Sequence, residues 1–236
     1  MMMFTFWAGP VPTELDSVNV WRKSFPNFHV FGDTDVIPLL DNDRHRDIYK
    51  RITLPACKSD IARLILLREY GGLYVDAHTG PSDAHSLAET LLELCTFDLV
   101  LFGAGWDSGF NFTNAILVAR RNAPILSILL DKAFSNLINH EKLEFETEEH
   151  VPYHLLNLTG TSVMVQNIFD LNAENAWQLD WNKKAEFETK IKLRRMPNHS
   201  SFGFDLYKFY NYNKEGEHWS KRQERERLFE KRRLDF

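Results

Sequence analysis

Residues 58–79 read KSDIARLILLREYGGLYVDAHT, and this stretch decides the fold. Ser59 suits a helix N-cap, which predicts a helix beginning at Asp60, whose carboxylate favours the positive end of the helix dipole. Ile61, Leu64, Ile65 and Tyr70 fall near one helical face, and Leu67 broadens it. Gly71 stands where a helix ends, because glycine tolerates a left-handed backbone. Leu73, Tyr74 and Val75 then read as a short buried strand that stops on Asp76-Ala77-His78. In a continuing strand Asp76 and His78 point to the same face. A carboxylate beside an imidazole suits Mn²⁺ or Zn²⁺ better than Ca²⁺, which prefers oxygen alone. Asp60 and Arg63 share a side of the helix. They read either as a surface ion pair of under about 1 kcal/mol or as groups facing a site at the next strand's end.

Working outward, residues 3–7 and 28–31 read as strands with a helix over residues 13–24 between them, its Leu15, Val18 and Trp21 inward. Residues 98–102 and 115–119 are further strands, and the glycine- and asparagine-rich run GAGWDSGFNFTN at 103–114 reads as a loop near the site, with Asp107 or Asn111 able to touch ligand. Asn122 and Pro124 open a helix to about residue 138, and Thr159-Gly160-Thr161 precedes another over residues 162–169. Strands alternating with helices predict an α/β fold with a mostly parallel central sheet flanked by helices. A length of 236 residues allows one α/β domain or two small ones, and 44% apolar content supports a sizeable core. A net charge of −5 excludes a general nucleic-acid binder. The first ten residues lack the basic and apolar regions of a signal peptide, and no apolar run is long enough for a transmembrane helix. Cys57 and Cys95 read as buried free thiols of a cytoplasmic protein.

The run resembles the sugar-nucleotide-binding region of the DXD glycosyltransferases. In particular it resembles glycosyltransferase family 32, of capsular polysaccharide synthesis type, and its relatives among the clostridial glucosylating toxins. Ser59, Asp60, Arg63, Tyr70, Gly71, Gly72, Tyr74 and Asp76 carry the match, while His78 stands where the family usually has a second Asp. The resemblance implies a GT-A-type nucleotide-diphospho-sugar transferase over residues 1–220. Its donor is a nucleotide sugar, a UDP-sugar foremost, and its acceptor a saccharide or lipid-linked saccharide. Asp60, Arg63 and Asp76 are the implied catalytic residues, with Asp60 on ribose or donor-sugar hydroxyls and Arg63 on sugar or phosphate. Trp7, in Trp7-Ala8-Gly9, is implied to contact the base, and Tyr74 to line the donor site. Asp76, His78 and His218 are the implied ligands of Mn²⁺ or Mg²⁺, with His199 a second candidate for the place of His218. Retention of the donor's anomeric configuration and a role in surface polysaccharide synthesis also follow from the resemblance.

Residues 221–236 are charge-dense, with seven Lys/Arg against three Glu over 221–233. They read as a charged C-terminal tail forming a solvated helix, with weak contact to an anionic membrane as the alternative. The expected place is the cytoplasm, with the inner membrane face as its peripheral variant. Two rival readings remain for the strand-end motif. A metallophosphoesterase would use D-x-H, but the G-D-x-x-D and G-H-x-H elements it needs are missing downstream. A nucleotide-binding module that has lost catalysis would rest on His78 alone.

Overall fold

A computed structural model of the chain describes residues 1–10, 15–106, 109–147, 149–169, 190–209 and 218–230; the side chains of residues 104–112 lie outside that description. In chain order the elements are β1 (Met3–Phe6), α1 (Asp16–Ser24), β2 (Phe28–Phe31), α2 (Asp33–Val36), α3 (Asp43–Arg51), α4 (Pro55–Tyr70), β3 (Gly72–Val75), β4 (Gly80–Pro81) and α5 (Ala84–Leu92). There follow β5 (Leu99–Trp106), β6 (Gly109–Ala119), α6 (Pro124–Thr147), α7 (Leu155–Leu158), α8 (Thr161–Phe169), β7 (Ile191–Met196), β8 (Ser200–Ser201), β9 (Phe204–Asp205) and α9 (Trp219–Arg222).

The large sheet has the order β2-β1-β3-β6-β5-β7, and β4, β9 and β8 form a small second sheet. β1 pairs in parallel with β2 and β3, and β5 with β7, while β6 runs antiparallel to β3 and β5. Residues alternate between two cores. Phe4, Tyr74, Leu99, Leu101 and Leu117 pack under α4, α6 and α8, whereas Leu73, Val75, Val100, Phe102 and Ile116 meet Val18 and Trp21 of α1 and Leu87 of α5. Both faces are covered, which is why these strands read as unbroken apolar runs. The α/β class with helices flanking a central sheet is thus the observed architecture.

α4 starts a full turn earlier than Ser59 predicts. Leu54 is its N-cap and Pro55 occupies the first turn, where a missing N–H is harmless. The helix is also less amphipathic than its sequence suggests, since every residue from Asp60 to Leu67 is buried. It lies between the sheet and α6, so Asp60 and Arg63 turn inward instead of toward solvent. Gly71 ends it with φ of 63°, as expected. Gly72 has φ of +105°, and a Cβ there would stand 2.0 Å from the carbonyl oxygen of Met2, so β1 can pair with β3 only over a glycine.

The expected loop at 103–114 is instead the far end of a hairpin. β5 and β6 stay paired through Trp106 and Gly109, with a register shift between Leu101 and Phe102. Asp107 lies outside the described residues, as does the side chain of Asn111. α6 runs nine residues beyond the predicted end, to Thr147. Both cysteines are free, but Cys95 is exposed and only Cys57 is buried.

The expectation of a solvated helix over 221–236 fails for its described part. Only four residues, Trp219–Arg222, are helical. Beyond them Leu228 and Phe229 are 0% and 2% exposed, and Phe229 bridges to Ile52. The buried Glu144 carboxylate accepts the amides of Leu228 at 2.7 Å and Phe229 at 3.1 Å. Two apolar residues and a buried acceptor outweigh the flanking charges. Lys221, Arg222, Arg225 and Arg227 meanwhile form ion pairs with Glu224, Glu226, Glu226 and Glu144. Residues 231–236 lie outside the description, and no helix among the described residues is long and apolar enough to cross a membrane.

Candidate active site

From β1 the chain passes to β2 on one side, and later returns to β3 on the other. The sheet therefore has a switch point between β1 and β3, and ligands of α/β sheets bind outside the carboxyl ends of strands at such points. A cavity of about 570 Å³ opens there, lined by Trp7 after β1, Asp76 and His78 after β3, Asp60 and Arg63 from α4, and Asn114 from β6. That volume is in the range of small-molecule sites.

Its floor is one hydrogen-bonded cluster. The Arg63 guanidinium donates through Nε to the Ser59 carbonyl at 3.1 Å, through Nη1 to the Asn114 carbonyl, and through Nη2 to Ser59 Oγ at 3.0 Å. The same Nη2 lies 3.2 Å from Asp60 Oδ1 and 3.3 Å from Asp76 Oδ1. Tyr74 lies beneath, its ring 4.9 Å from the guanidinium carbon and its hydroxyl 2.5 Å from Asp76 Oδ1 and 2.9 Å from Ser59 Oγ. Asp60 receives Asn114 Nδ2 at 2.8 Å and Thr159 Oγ1 at 2.9 Å. Asp60 and Arg63 are each 5% exposed, so the pair is buried and the surface ion-pair reading is excluded. Ser59, read as a cap, is a helix-interior residue that ties Arg63 to Tyr74.

Burial pushes the Asp60 carboxyl up to about 6, against the opposing pull of Arg63 and Thr159. Burial likewise pushes the Tyr74 phenol up, so it stays protonated and donates to Asp76. His78 is shifted down by burial, only partly offset by Asp76, and its imidazole is neutral at pH 7. Its ring stacks on Tyr207 at 5.2 Å and 9°. Tyr207 adopts φ of 65°, an uncommon backbone for a bulky residue and one that recurs at functional sites.

The structure thus brings Trp7, Asp60, Arg63, Asp76, His78 and His218 to one cavity, with Tyr74 directly behind it. Asp76 and His78 do not share a strand face, because β3 ends at Val75 and Asp76-Ala77-His78 is a turn closed by Thr79 N–H donating to the Asp76 carbonyl at 2.9 Å. His218 caps α9, with Nδ1 accepting from the Ser220 amide at 3.3 Å and 2.7 Å from Ser220 Oγ. Among the described residues no three His, Cys, Asp or Glu side chains gather closely enough to hold a metal, so Asp76, His78 and His218 are not assembled as a ligand set here. His199 packs edge-on to Tyr207 at 5.2 Å.

Sequence reading missed Asn114 and Thr159 as partners of Asp60, Tyr207 as the support of His78, and Trp219 and Arg222 as cavity walls. Thr159 precedes Gly160, where a Cβ would stand 2.9 Å from Leu156 and 3.4 Å from Asp60 Oδ2. The others carry no local signal, since their approach depends on pairing between distant segments.

Residues 12–90 match the family described as glycosyltransferase sugar-binding region containing DXD motif. No curated protein matches the chain. Among solved structures, the chain is similar to PaToxG glycosyltransferase, at 17% identity over 70% of this chain and 66% of that one, with a TM-score of 0.46. It is also similar to the UDP-bound glycosyltransferase domain of the YGT toxin, at 17% identity over 65% of this chain and 43% of that one, with a TM-score of 0.37. The chain therefore spans just under two thirds of the first and less than half of the second. The matched region, about a third of the chain, holds β2, β3, α4 and the Asp76-Ala77-His78 turn, so this part of the chain is similar to the sugar-binding region of the DXD glycosyltransferases.

Proposed function

We propose that this protein transfers a sugar from a nucleotide-sugar donor, a UDP-sugar foremost, to a saccharide or lipid-linked saccharide acceptor, with a divalent cation on the donor diphosphate. The observation that carries the reading is the buried Asp60–Arg63–Tyr74–Asp76 cluster flooring a cavity at the sheet's switch point. Trp7 lines the cavity just after β1, and its indole is the proposed stacking partner of the base. Asp60, held from beneath by Asn114 and Thr159, is the acceptor for a donor hydroxyl. Arg63 takes a different role from the one the resemblance implies. Its donors are committed to protein atoms, so it holds the two carboxylates in place and offsets their charge.

The donor set fits Mn²⁺ or Mg²⁺ in the mode where one or two protein groups and substrate phosphates share the ion. The contacts of Asp76 with Tyr74 and Arg63 both fall on Oδ1, which leaves Oδ2 for a cation. His78 is neutral, as ligation requires. Asp76 and His78 would hold the ion, and His218 on the same cavity is the third candidate. When bound, the ion supplies Lewis-acid stabilisation of charge on the departing diphosphate. Retention of configuration and a place in surface polysaccharide synthesis are carried by the resemblance, with residues 1–220 as the transferase domain.

A thermal-shift screen of UDP, GDP, CMP and AMP, each with Mn²⁺ or EDTA, tests this. Ligand at 100 times its Kd stabilises by about 2.7 kcal/mol. UDP or GDP is expected to stabilise the protein only with Mn²⁺, and Asp76→Ala is expected to stay folded and lose that shift. Silence with every nucleotide would sink the reading.

A further inference from the structure

We infer that Arg222 is a diphosphate-binding residue of this cavity, held in reserve by Glu226; the inference rests on the donor reading above. Four charged residues line the cavity among those described: Asp60, Asp76, Arg63 and Arg222. A nucleoside diphosphate brings further negative charge against two carboxylates. Arg63 cannot meet it, because its nitrogens are engaged within the floor by Ser59, Asn114, Asp60 and Asp76. Arg222 is the remaining lining cation. Its Nε and Nη2 both reach Glu226 Oε2 at 2.9 Å, which leaves the Nη1 edge of the guanidinium for an anion. Arg222 is partly exposed and Glu226 more so, with side-chain exposures of 21% and 34%, so the pair is weak enough to exchange one anionic partner for another. Phosphate oxygens accept from the same planar fork that the carboxylate now occupies.

The segment carrying Arg222 is fixed rather than loose. Next to it, Gln223 accepts the Leu155 amide through Oε1 at 2.9 Å, and its carbonyl lies 3.0 Å from His150 Nε2. Farther on, Glu144 clamps Leu228 and Phe229, and Thr53 donates its amide to the Leu228 carbonyl at 2.8 Å. A cation on a pinned backbone loses little freedom when it binds, which favours affinity.

Calorimetric titration of the full chain with UDP, uridine and inorganic pyrophosphate, each with Mn²⁺, tests the assignment. Arg222→Gln is expected to weaken UDP and pyrophosphate about tenfold or more while uridine binds unchanged. Glu226→Gln is expected to tighten UDP, and that gain is expected to vanish in the Arg222→Gln, Glu226→Gln double variant, where no guanidinium is left to release. Unchanged UDP affinity in a folded Arg222→Gln, or equal losses for UDP and uridine, overturns the proposal alone. Failure of the wild type to bind any of the three overturns it together with the donor reading. Should Arg222→Gln fold poorly, Arg222→Lys carries the test: it keeps the charge without the fork and is expected to fall between wild type and Arg222→Gln.

Discussion

Asp60 shows how a residue acquires chemistry from its surroundings. Burial opposes its charge, and three donors from α4, β6 and the segment before α8 restore it only in part, leaving the carboxyl titrating near 6. Below that pH it is protonated and a poor acceptor for a donor hydroxyl. The expected kcat/KM therefore rises with pH through an apparent pKa near 6. Asp60→Asn is expected to lower the plateau about tenfold to a hundredfold and to remove that limb; a pH profile that kept the limb would reassign the ionisation. The sign for stability is opposite. A folded-state pKa above the unfolded one means that Asp60 favours the fold less as pH rises from the ordinary carboxylate range through about 6. His78→Asp makes a second test at this scale. It sets another carboxylate beside Asp76, so like-charge repulsion is expected to lower Tm in EDTA and enlarge the Mn²⁺-dependent rise, with activity kept or raised. A dead but folded variant would give the imidazole and its stack on Tyr207 a role that a carboxylate cannot fill.

At the scale of elements, the decisive contact is between α6 and the segment after α9. Burial alone would push Glu144 up, but His140 and the Leu228 and Phe229 amides outweigh it and hold the carboxyl below the usual range. The latch thus contributes stability at neutral pH that is lost as pH falls below the ordinary glutamate range. Glu144→Gln turns one acceptor oxygen into a donor facing a backbone N–H. The expected cost is about 2 kcal/mol, with faster hydrogen exchange at Leu228 and Phe229 at pH 7. Unchanged protection of those two amides would show that apolar packing alone holds the segment. The pairing of β1 with β3 is fixed as firmly, by the Gly72 contact with Met2, and it sets the ends of two parallel strands side by side beneath the cavity.

For the whole molecule, the stretch that matches the family model, residues 12–90, supplies most of the floor of the site but not its walls. Asn114, Thr159, Tyr207, His218 and Arg222 come from four later segments. A chain ending at residue 217 loses His218, Trp219 and Arg222 from the cavity and uncovers Ile52 and Glu144. Burial of Leu228 and Phe229 alone is worth about 4 kcal/mol, so urea unfolding is expected to show a loss of that order. Nucleotide is expected to stabilise the shortened protein little or not at all. A full nucleotide shift in it would confine the binding site to the sheet side.

The features legible in the chain alone are those that local physics controls. Glycine fixes the end of α4, apolar runs fix β1, β2 and β3, and the spacing of Asp60 and Arg63 on one helix, with Asp76 directly after a short buried strand, follows from helix and strand periods. Where the environment overrides local preference, the outcome depends on long-range packing. Burial on all sides made an apparently surface ion pair into an internal strut. Strand pairing turned a glycine-rich run into a hairpin. Two apolar residues and one buried carboxylate drew a charge-dense tail into the core, because a folded chain weighs each segment against the partners that distant segments provide.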